Sequence, residues 1–353
     1  MFRLKRRQFL QAIMAGPVTC SAGRFAIAAQ AGNAQKSGPP PLPGDGSFTI
    51  AVLPDTQMYC QGNPAGFLAQ TKWLVDNKQA RKISAVLHLG DITNRNSPEQ
   101  WEVARKAMNQ LDGNIPYFLV PGNHDYSDGG RATDRSTLLD EYFPTDKFKK
   151  LPSFGSVYDK EPGSMANSYH LFTAGGRKFL VIGLEFGPRA DVVRWANEVA
   201  TKHADHEAIL ITHAYTYSDD TRYNWGKYGT KQRWNPHSRS YPVAKNSGDD
   251  VMDGEELWRN LVSKHENFVL TLSGHVLNDG LGRVTTQTPG GRDVHQLLVN
   301  FQMKPHGGDG WLRLMEFTPR GTVEVYDYSP ILDQTNRGEQ NRFTLNLAEV
   351  TPP

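Results

Sequence analysis

The sequence predicts a layered α/β domain built around two sheets. From Phe48 onward, strand-like and helix-like segments alternate, as they do where helices pack on a largely parallel sheet. His295–Phe301, Gly310–Phe317 and Thr322–Tyr328 then follow as consecutive strands with short turns, the pattern of an antiparallel sheet. In addition, five apolar runs end on residues that are poor strand formers but good metal ligands. In an open α/β sheet the carboxyl ends of strands line the ligand crevice, so these ends are expected to meet.

Residues 1–35 stand apart from that domain. They carry five basic residues (Arg3, Lys5, Arg6, Arg7, Arg24) and no acidic ones. Lys5-Arg6-Arg7-Gln8-Phe9-Leu10 precedes a weakly apolar stretch, Ala12–Ala29, which ends in small residues that offer a cleavage site. This reads as a twin-arginine export signal, so the protein is expected to be exported, periplasmic or secreted, with the twin-arginine machinery as a partner. Cys20 follows Val18-Thr19 and lacks the small residue that a lipoprotein site needs before the cysteine. Residues 36–47, with Pro39-Pro40-Pro41, read as a linker; 48–347 as the domain; 348–353 as a tail.

Within the domain, Pro64–Asn77 and Asp191–His203 have helical apolar spacing, with Trp73 and Leu74, then Val192, Trp195 and Val199, on one stripe. Ser97-Pro98-Glu99-Gln100 is a helix start, with Ser at the N-cap and Pro at the first position. Asp253–His265 reads as a helix leading into the Phe268 strand. Ser127–Asn167 and Tyr215–Asp250 lack clean periodicity and are of a length that functional loops have. The second interleaves aromatics with cations: Tyr215, Tyr217, Tyr223, Trp225, Tyr228, Trp234 and Tyr241 among Arg222, Lys227, Lys231, Arg233 and Arg239. Such a segment either grips a phosphorylated, nucleotide or sugar-containing substrate by stacking and charge, or pins itself to the body.

The charge balance excludes some partners. The whole chain has 39 basic and 37 acidic residues, which leaves 34 against 37 once the signal is set aside. Nothing about a mature net charge of −3 suggests a nucleic-acid or anionic-membrane partner, and no nucleic-acid-binding surface is expected. No apolar run reaches eighteen residues, so no membrane span is expected in the mature chain. Cys60 is the single cysteine outside the signal, which precludes an intramolecular disulfide; it reads as a small packing residue.

The five strand-end motifs are Pro54-Asp55-Thr56-Gln57, Gly90-Asp91, Gly122-Asn123-His124-Asp125, Thr212-His213 and Gly274-His275. Each is weak alone, but the set in this order outlines a binuclear metal site. Here the chain resembles the calcineurin-like metallophosphoesterase superfamily, whose motif order is D-x-H, G-D, G-N-H-[DE], H and G-H-x-H. The resemblance covers about residues 48–280 and implies a four-layer αββα sandwich with metals at one rim. It implies Asp91 as the bridging carboxylate, Asn123, His213 and His275 as ligands of one metal, and Asp55 with Gln57 on the other. It further implies hydrolysis of phosphomono- or diesters by a metal-bound hydroxide, with His124 as general acid toward the leaving alcohol. Arg95, four residues after Asp91, sits where some family members place a phosphate-clamping arginine, although Asn94-Arg95-Asn96 replaces the more familiar Asp-Arg-Gly.

Two departures bear on the second metal. Gln57 replaces the His of D-x-H, and Leu277 stands where the second His of G-H-x-H is expected. Both missing imidazoles belong to the same metal, so that site should bind more weakly or prefer a harder ion, with Asn278 or Asp279 as candidates to repair it. Divalent ions, two in number, are expected, from among Mn, Fe and Zn; loading before export of the folded protein would favour Mn or Fe. Two other readings stay open: a phosphate- or glycan-binding module of the same fold without turnover, and a hydrolase of a non-phosphate bond. His88 reads as a satisfied core histidine and His170, His203 and His265 as surface or helix-end residues. His295, His306, Gln302 and Asp309 form a late polar stretch that is a candidate to reach the site without being counted among its residues.

Overall fold

A computed structural model of the protein describes residues 37–246 and 251–347. The expected export signal, the first residue of the linker, positions 247–250 of the aromatic segment and the tail lie outside the described residues. The strands among the described residues run, in chain order, β1 (Phe48–Leu53), β2 (Ile83–His88), β3 (Tyr117–Leu119), β4 (Phe154–Val157), β5 (Ser168–Ala174), β6 (Arg177–Leu184) and β7 (Glu207–Thr212). They continue with β8 (Phe268–Ser273), β9 (Leu281–Gln287), β10 (Asp293–Val299), β11 (Leu312–Phe317), β12 (Thr322–Ser329), β13 (Gln334–Thr335) and β14 (Arg342–Asn346).

They form two seven-stranded mixed sheets. The first has the order β13-β12-β11-β1-β2-β3, with β14 also paired to β12; the second has the order β4-β5-β6-β7-β8-β10-β9. β1, β2 and β3 are parallel, as are β6, β7, β8 and β10. The alternation of side chains along a strand explains the layering. Phe48, Ile50 and Val52 of β1 pack between the sheets with Phe118, Phe179, Ile209, Leu297 and Phe317. Ala51 and Leu53 of the same strand face outward, against Phe67, Leu74 and Trp101 of the helices Pro64–Asp76 and Pro98–Met108. On the far side, helix Ala190–Lys202 lays Val192, Trp195 and Val199 on Leu180, Ile182 and Leu210. Three stacked cores give four layers, αββα, and each fully buried Leu, Ile or Phe contributes about 2 kcal/mol.

The late strands differ from the sequence reading. Only β11 and β12 are antiparallel neighbours, whereas β10 lies in the other sheet, parallel to β8 and antiparallel to β9. The reason lies in β10 itself: Val294 faces the outer helices while Leu297 and Val299 face the inter-sheet core. A strand apolar on both faces belongs inside a sheet. The chain therefore crosses from one sheet to the other between Val299 and Leu312, at the rim where the motifs lie. The Asp253–His265 helix is shorter than expected: Gly254–Asn260, capped by Asp253, followed by a 3-10 turn Val262–Lys264.

Neither long segment is a free loop. Ser127–Asn167 holds short helices Leu139–Tyr142 and Thr145–Phe148 and strand β4, and buries Leu139, Phe143 and Phe148 in the first sheet's outer core. In the second, Tyr217, Tyr223 and Tyr241 are buried with Tyr126, Phe186 and Val276, Trp234 packs on them, and Tyr215 is buried in the second sheet's outer core with Leu257 and Trp258. Those aromatics pin the segment to the body. Arg222 is engaged as well, bonded to Glu255 and stacked 4.8 Å over Trp258.

Candidate metal centre

Parallel strands present their carboxyl ends at one rim. Asp55, Asp91 and Asn123 thus follow β1, β2 and β3 of the first sheet, and His213 and His275 follow β7 and β8 of the second. Side-chain and backbone contacts join the rims; among them, His213 Nε2 lies 3.1 Å from Asp91 Oδ1, and the His275 N–H donates to Asp55 Oδ2 at 3.0 Å. Ligand atoms of Asp91, His213 and His275 all lie within 4.8 Å of one another, and all three residues are buried.

The glycines of the motifs make this approach possible. A Cβ at Gly122 would collide with the Asp91 carboxylate, and one at Gly274 with that of Asp55. Asp91 (φ 47°) and His275 (φ 75°) themselves adopt left-handed backbone. Such conformations cost a non-glycine residue on the order of 1 kcal/mol each and persist where surrounding structure enforces them.

Asp125 fastens two motifs together. Its carboxylate, fully buried, accepts from the N–H groups of Ile92 (2.9 Å), Thr93 (2.7 Å) and Gly122 (2.9 Å) and from the Thr93 hydroxyl (2.9 Å). Asp91 Oδ1 accepts the His124 N–H at 2.9 Å. His213 Nδ1 bonds the Leu89 carbonyl at 2.8 Å, which places its proton there and leaves Nε2 on the Asp91 side. His275 Nε2 bonds the Trp234 carbonyl at 2.7 Å, so the aromatic segment orients a site residue through its backbone. His124 is half-buried, and its Nδ1 bonds the Asn94 carbonyl at 3.0 Å. Its orienting partner is therefore a backbone carbonyl, and Nε2 has no hydrogen-bond partner among the described residues.

The electrostatics set burial against pairing. Burial, with a contribution from Asp91, pushes Asp55 up to about 7 despite the opposing pull of His213. Burial would raise Asp91 too, but His213, His124 and His275 outweigh it and hold the group well below the ordinary carboxylate range. Burial works against a charged His213, yet Asp91 lifts it to about 9. Burial and the neighbouring His213 depress His275 to about 3. A divalent cation suits these groups: Gln57 Oε1, Asn123 Oδ1 and His213 Nε2 are buried and lack a hydrogen-bond partner among the described residues, the last despite its proximity to Asp91. Buried polar atoms are rarely left so, and these three are ligand atoms of the kind divalent metals take.

The remaining expected residues fall around this cluster. Gln57 opens helix Gln57–Gly62, its Nε2 3.4 Å from Asn94 Oδ1. Arg95 is exposed, and its guanidinium has no ion-pair partner among the described residues; Gln100 Oε1 holds the Asn94 and Arg95 N–H groups at 2.8 and 2.9 Å. Gln100 thus shapes the loop beside the site and does not close a box on Ser97, which caps by position alone. Neither proposed repair residue is engaged with the site: Asn278 bonds Ser218, and Asp279 accepts the Leu281 N–H to form a turn. His88 is a satisfied core histidine, bonded to Thr56 Oγ1 and the Gly90 N–H. His170 is not a surface residue; it is fully buried and stacks 4.1 Å from Phe118.

Asn300 joins the site without being among the residues that the motif order names. Its Nδ2 donates to Asp55 Oδ2 at 2.9 Å from the end of β10. The signal was present, since Leu297-Leu298-Val299-Asn300 is a sixth apolar run ending on a polar ligand-type residue. A second cluster, His237, Asp253 and Glu256, is a hydrogen-bonded helix cap: Asp253 accepts the Glu255 and Glu256 N–H groups, and Glu256 accepts the Asp253 N–H and bonds His237.

A four-layer αββα fold carrying carboxylates and imidazoles at the joined rims of its sheets defines a metallophosphoesterase-like protein. Residues 48–279 match the family model described as calcineurin-like phosphoesterase, and the chain belongs to that family. It is 29% identical over 324 residues to the uncharacterized protein YvnB of Bacillus subtilis, covering 86% of this chain and 22% of that protein. Among solved structures it resembles the purple acid phosphatase PPD1 of yellow lupin seeds, with a TM-score of 0.51, 14% identity, and coverage of 88% of this chain and 55% of the other. The chain spans about a fifth of the first relative and about half of the second; the second shares its fold.

Proposed function

We propose that the protein is an exported, metal-dependent phosphoesterase that hydrolyses a small phosphorylated or sugar-containing ester. The convergence of Asp91, His213 and His275 within 4.8 Å, beside Asp55, carries this reading. Two divalent cations held by Asp55, Gln57, Asp91, Asn123, His213 and His275 would supply the activated water and neutralise phosphate charge.

The chain's own groups divide the remaining work. His124 is fixed at Nδ1 by Asn94 and at its backbone N–H by Asp91, which leaves Nε2 to give its proton to the departing alcohol oxygen as the P–O bond breaks. Water contributes the new oxygen on phosphorus. Arg95, exposed at the edge of the site, offers two donors to non-bridging phosphate oxygens. Export through the twin-arginine route and a periplasmic or secreted location rest on the Lys5–Leu10 pattern.

The test is a metal-supplemented screen of chromogenic phosphate mono- and diesters on protein exported through its own signal, with elemental analysis of the same sample. Hydrolysis that falls 10²- to 10⁴-fold in His124→Ala while metal content is retained is the expected result. Unchanged turnover in that variant would remove His124 as the acid. The two missing imidazoles, at Gln57 and Leu277, favour one second reading, a phosphate- or glycan-binding module. One metal per chain with no turnover on any ester would establish it.

A further inference from the structure

The segment that crosses from β10 to β11 bonds Asp55 at one end and packs at the other on the helix that opens with Gln57. At one end, Asn300 donates from Nδ2 to Asp55 Oδ2 at 2.9 Å. The orientation of that amide is fixed, because its Oδ1 accepts the Gln302 N–H at 2.9 Å. At the other end, the segment packs on the helix that begins with Gln57. The Asn63 side chain donates to the His306 carbonyl at 2.9 Å, and the Gly310 N–H donates to the Tyr59 hydroxyl at 2.7 Å. A Cβ on Gly307 would press on Met58, and one on Gly308 on the Tyr59 hydroxyl.

Gln302 sits between these two anchor points. It is buried, 7% exposed, and its Oε1 has no hydrogen-bond partner among the described residues. Gln57 Oε1, on the adjacent helix, is in the same condition. Buried polar atoms are rarely left without a partner, and Gln302 follows by two residues the Asn300 whose amide bonds Asp55, so a cation held at Asp55 and Gln57 is a partner that would satisfy both oxygens. In the crossing segment two non-glycine residues, His306 (φ 55°) and Asp309 (φ 44°), adopt left-handed backbone among glycines that take positive φ freely. Strain of this sort persists where it holds something in place.

We propose, on the reading of this rim as a cation site, that Gln302 supplies a ligand oxygen to the second cation in place of the missing imidazole, and that Asn300 is the positioning residue that holds Asp55 for it. The second site is then an all-oxygen set of Asp55, Asp91, Gln57 and Gln302. Hard carbonyl and carboxylate oxygens select Mn²⁺ or Mg²⁺ over Zn²⁺, which prefers imidazole or thiolate. The first site, with two imidazoles, keeps the ordinary preference.

The experiment is titration of chelator-stripped full-length protein with Mn²⁺ alone, followed by calorimetry and by electron paramagnetic resonance. Wild type should take two Mn²⁺ per chain and show the spin-coupled signal of a neighbouring pair. Gln302→Met, similar in shape but without the oxygen, should bind the second Mn²⁺ at least tenfold more weakly and give the six-line signal of an isolated ion. Gln302→Glu should restore the pair and bind the second ion more tightly than wild type. Asn300→Ala should weaken only the second ion. Two sites of wild-type affinity in Gln302→Met would overturn the assignment. Should that variant not fold, as judged by its melting curve, wild-type affinity in Gln302→Glu would overturn it instead. A wild type that binds one Mn²⁺ and still hydrolyses esters refutes the Gln302 site alone; a wild type that binds none refutes the metal-dependent function as well.

Discussion

Replacing Asp125 with Asn tests whether the two loops that carry Asp91 and His124 are held by one carboxylate. Each Asp125 oxygen accepts two donors, Oδ1 from the Thr93 N–H and hydroxyl and Oδ2 from the Ile92 and Gly122 N–H groups. An asparagine must turn an NH₂ toward one of these pairs, so two bonds are lost and two buried donors face a third. A buried donor left without an acceptor costs about 1–3 kcal/mol, so the variant should lose about 4 kcal/mol of stability. For a domain of this size that corresponds to a melting point lower by roughly 8 °C. Thr93→Val removes the hydroxyl alone and should cost only about 1 kcal/mol. Urea denaturation of the metal-free protein, with the slope checked for constancy, measures both variants on one scale. If Asp125→Asn costs no more than Thr93→Val, the carboxylate is not the clamp that the geometry describes.

Other consequences can be measured separately. Asp55 and His213 are raised to about 7 and about 9 in the cation-free protein, so both are protonated below pH 7 and both protons must leave when cations bind. Uptake should therefore tighten with pH, roughly a hundredfold per unit below 7 and tenfold per unit from 7 to 9; calorimetry at pH 6.5 in buffers of differing protonation enthalpy should show about two protons released, and none released would refute the assignment. Gly274→Ala drives a methyl group into the Asp55 carboxylate and should lower metal content by elemental analysis in a protein that still folds. Asp327→Ala strands the buried Arg313 guanidinium, which Asp327 now holds at 2.7 and 2.8 Å, and should cost roughly 3–5 kcal/mol in denaturation with metal content unchanged.

What the sequence revealed of the fold depended on local periodicity. Helix Pro64–Asp76 and strands β1, β2, β7 and β8 are regular in apolar spacing and end close to where the sequence places them. β9 carries too few apolar residues to register, with Thr285, Thr286 and Gln287 in its second half. β10 was legible as a strand, but not as a member of the second sheet. Its assignment depends on both of its faces finding apolar partners, and those partners, in helix Gly254–Asn260 and on β1, are distant in sequence.

The same distinction separates what was legible in the site from what was not. Asp55, Asp91, Asn123, His213 and His275 each fall within four residues of a strand end, so position along the chain predicts position in space. Asn278 and Asp279 lie next to the defect in sequence but not in the site. The turn after His275 reverses the chain there, spending the Asp279 carboxylate on the Leu281 N–H and the Asn278 amide on Ser218. The hairpin β9–β10 then returns the chain to the rim, and Asn300 reaches Asp55 across a separation of 245 residues. A strand that runs parallel to β8 must deliver its last residues beside those of β8, so the loss of an imidazole after one strand is most readily compensated from the end of the next.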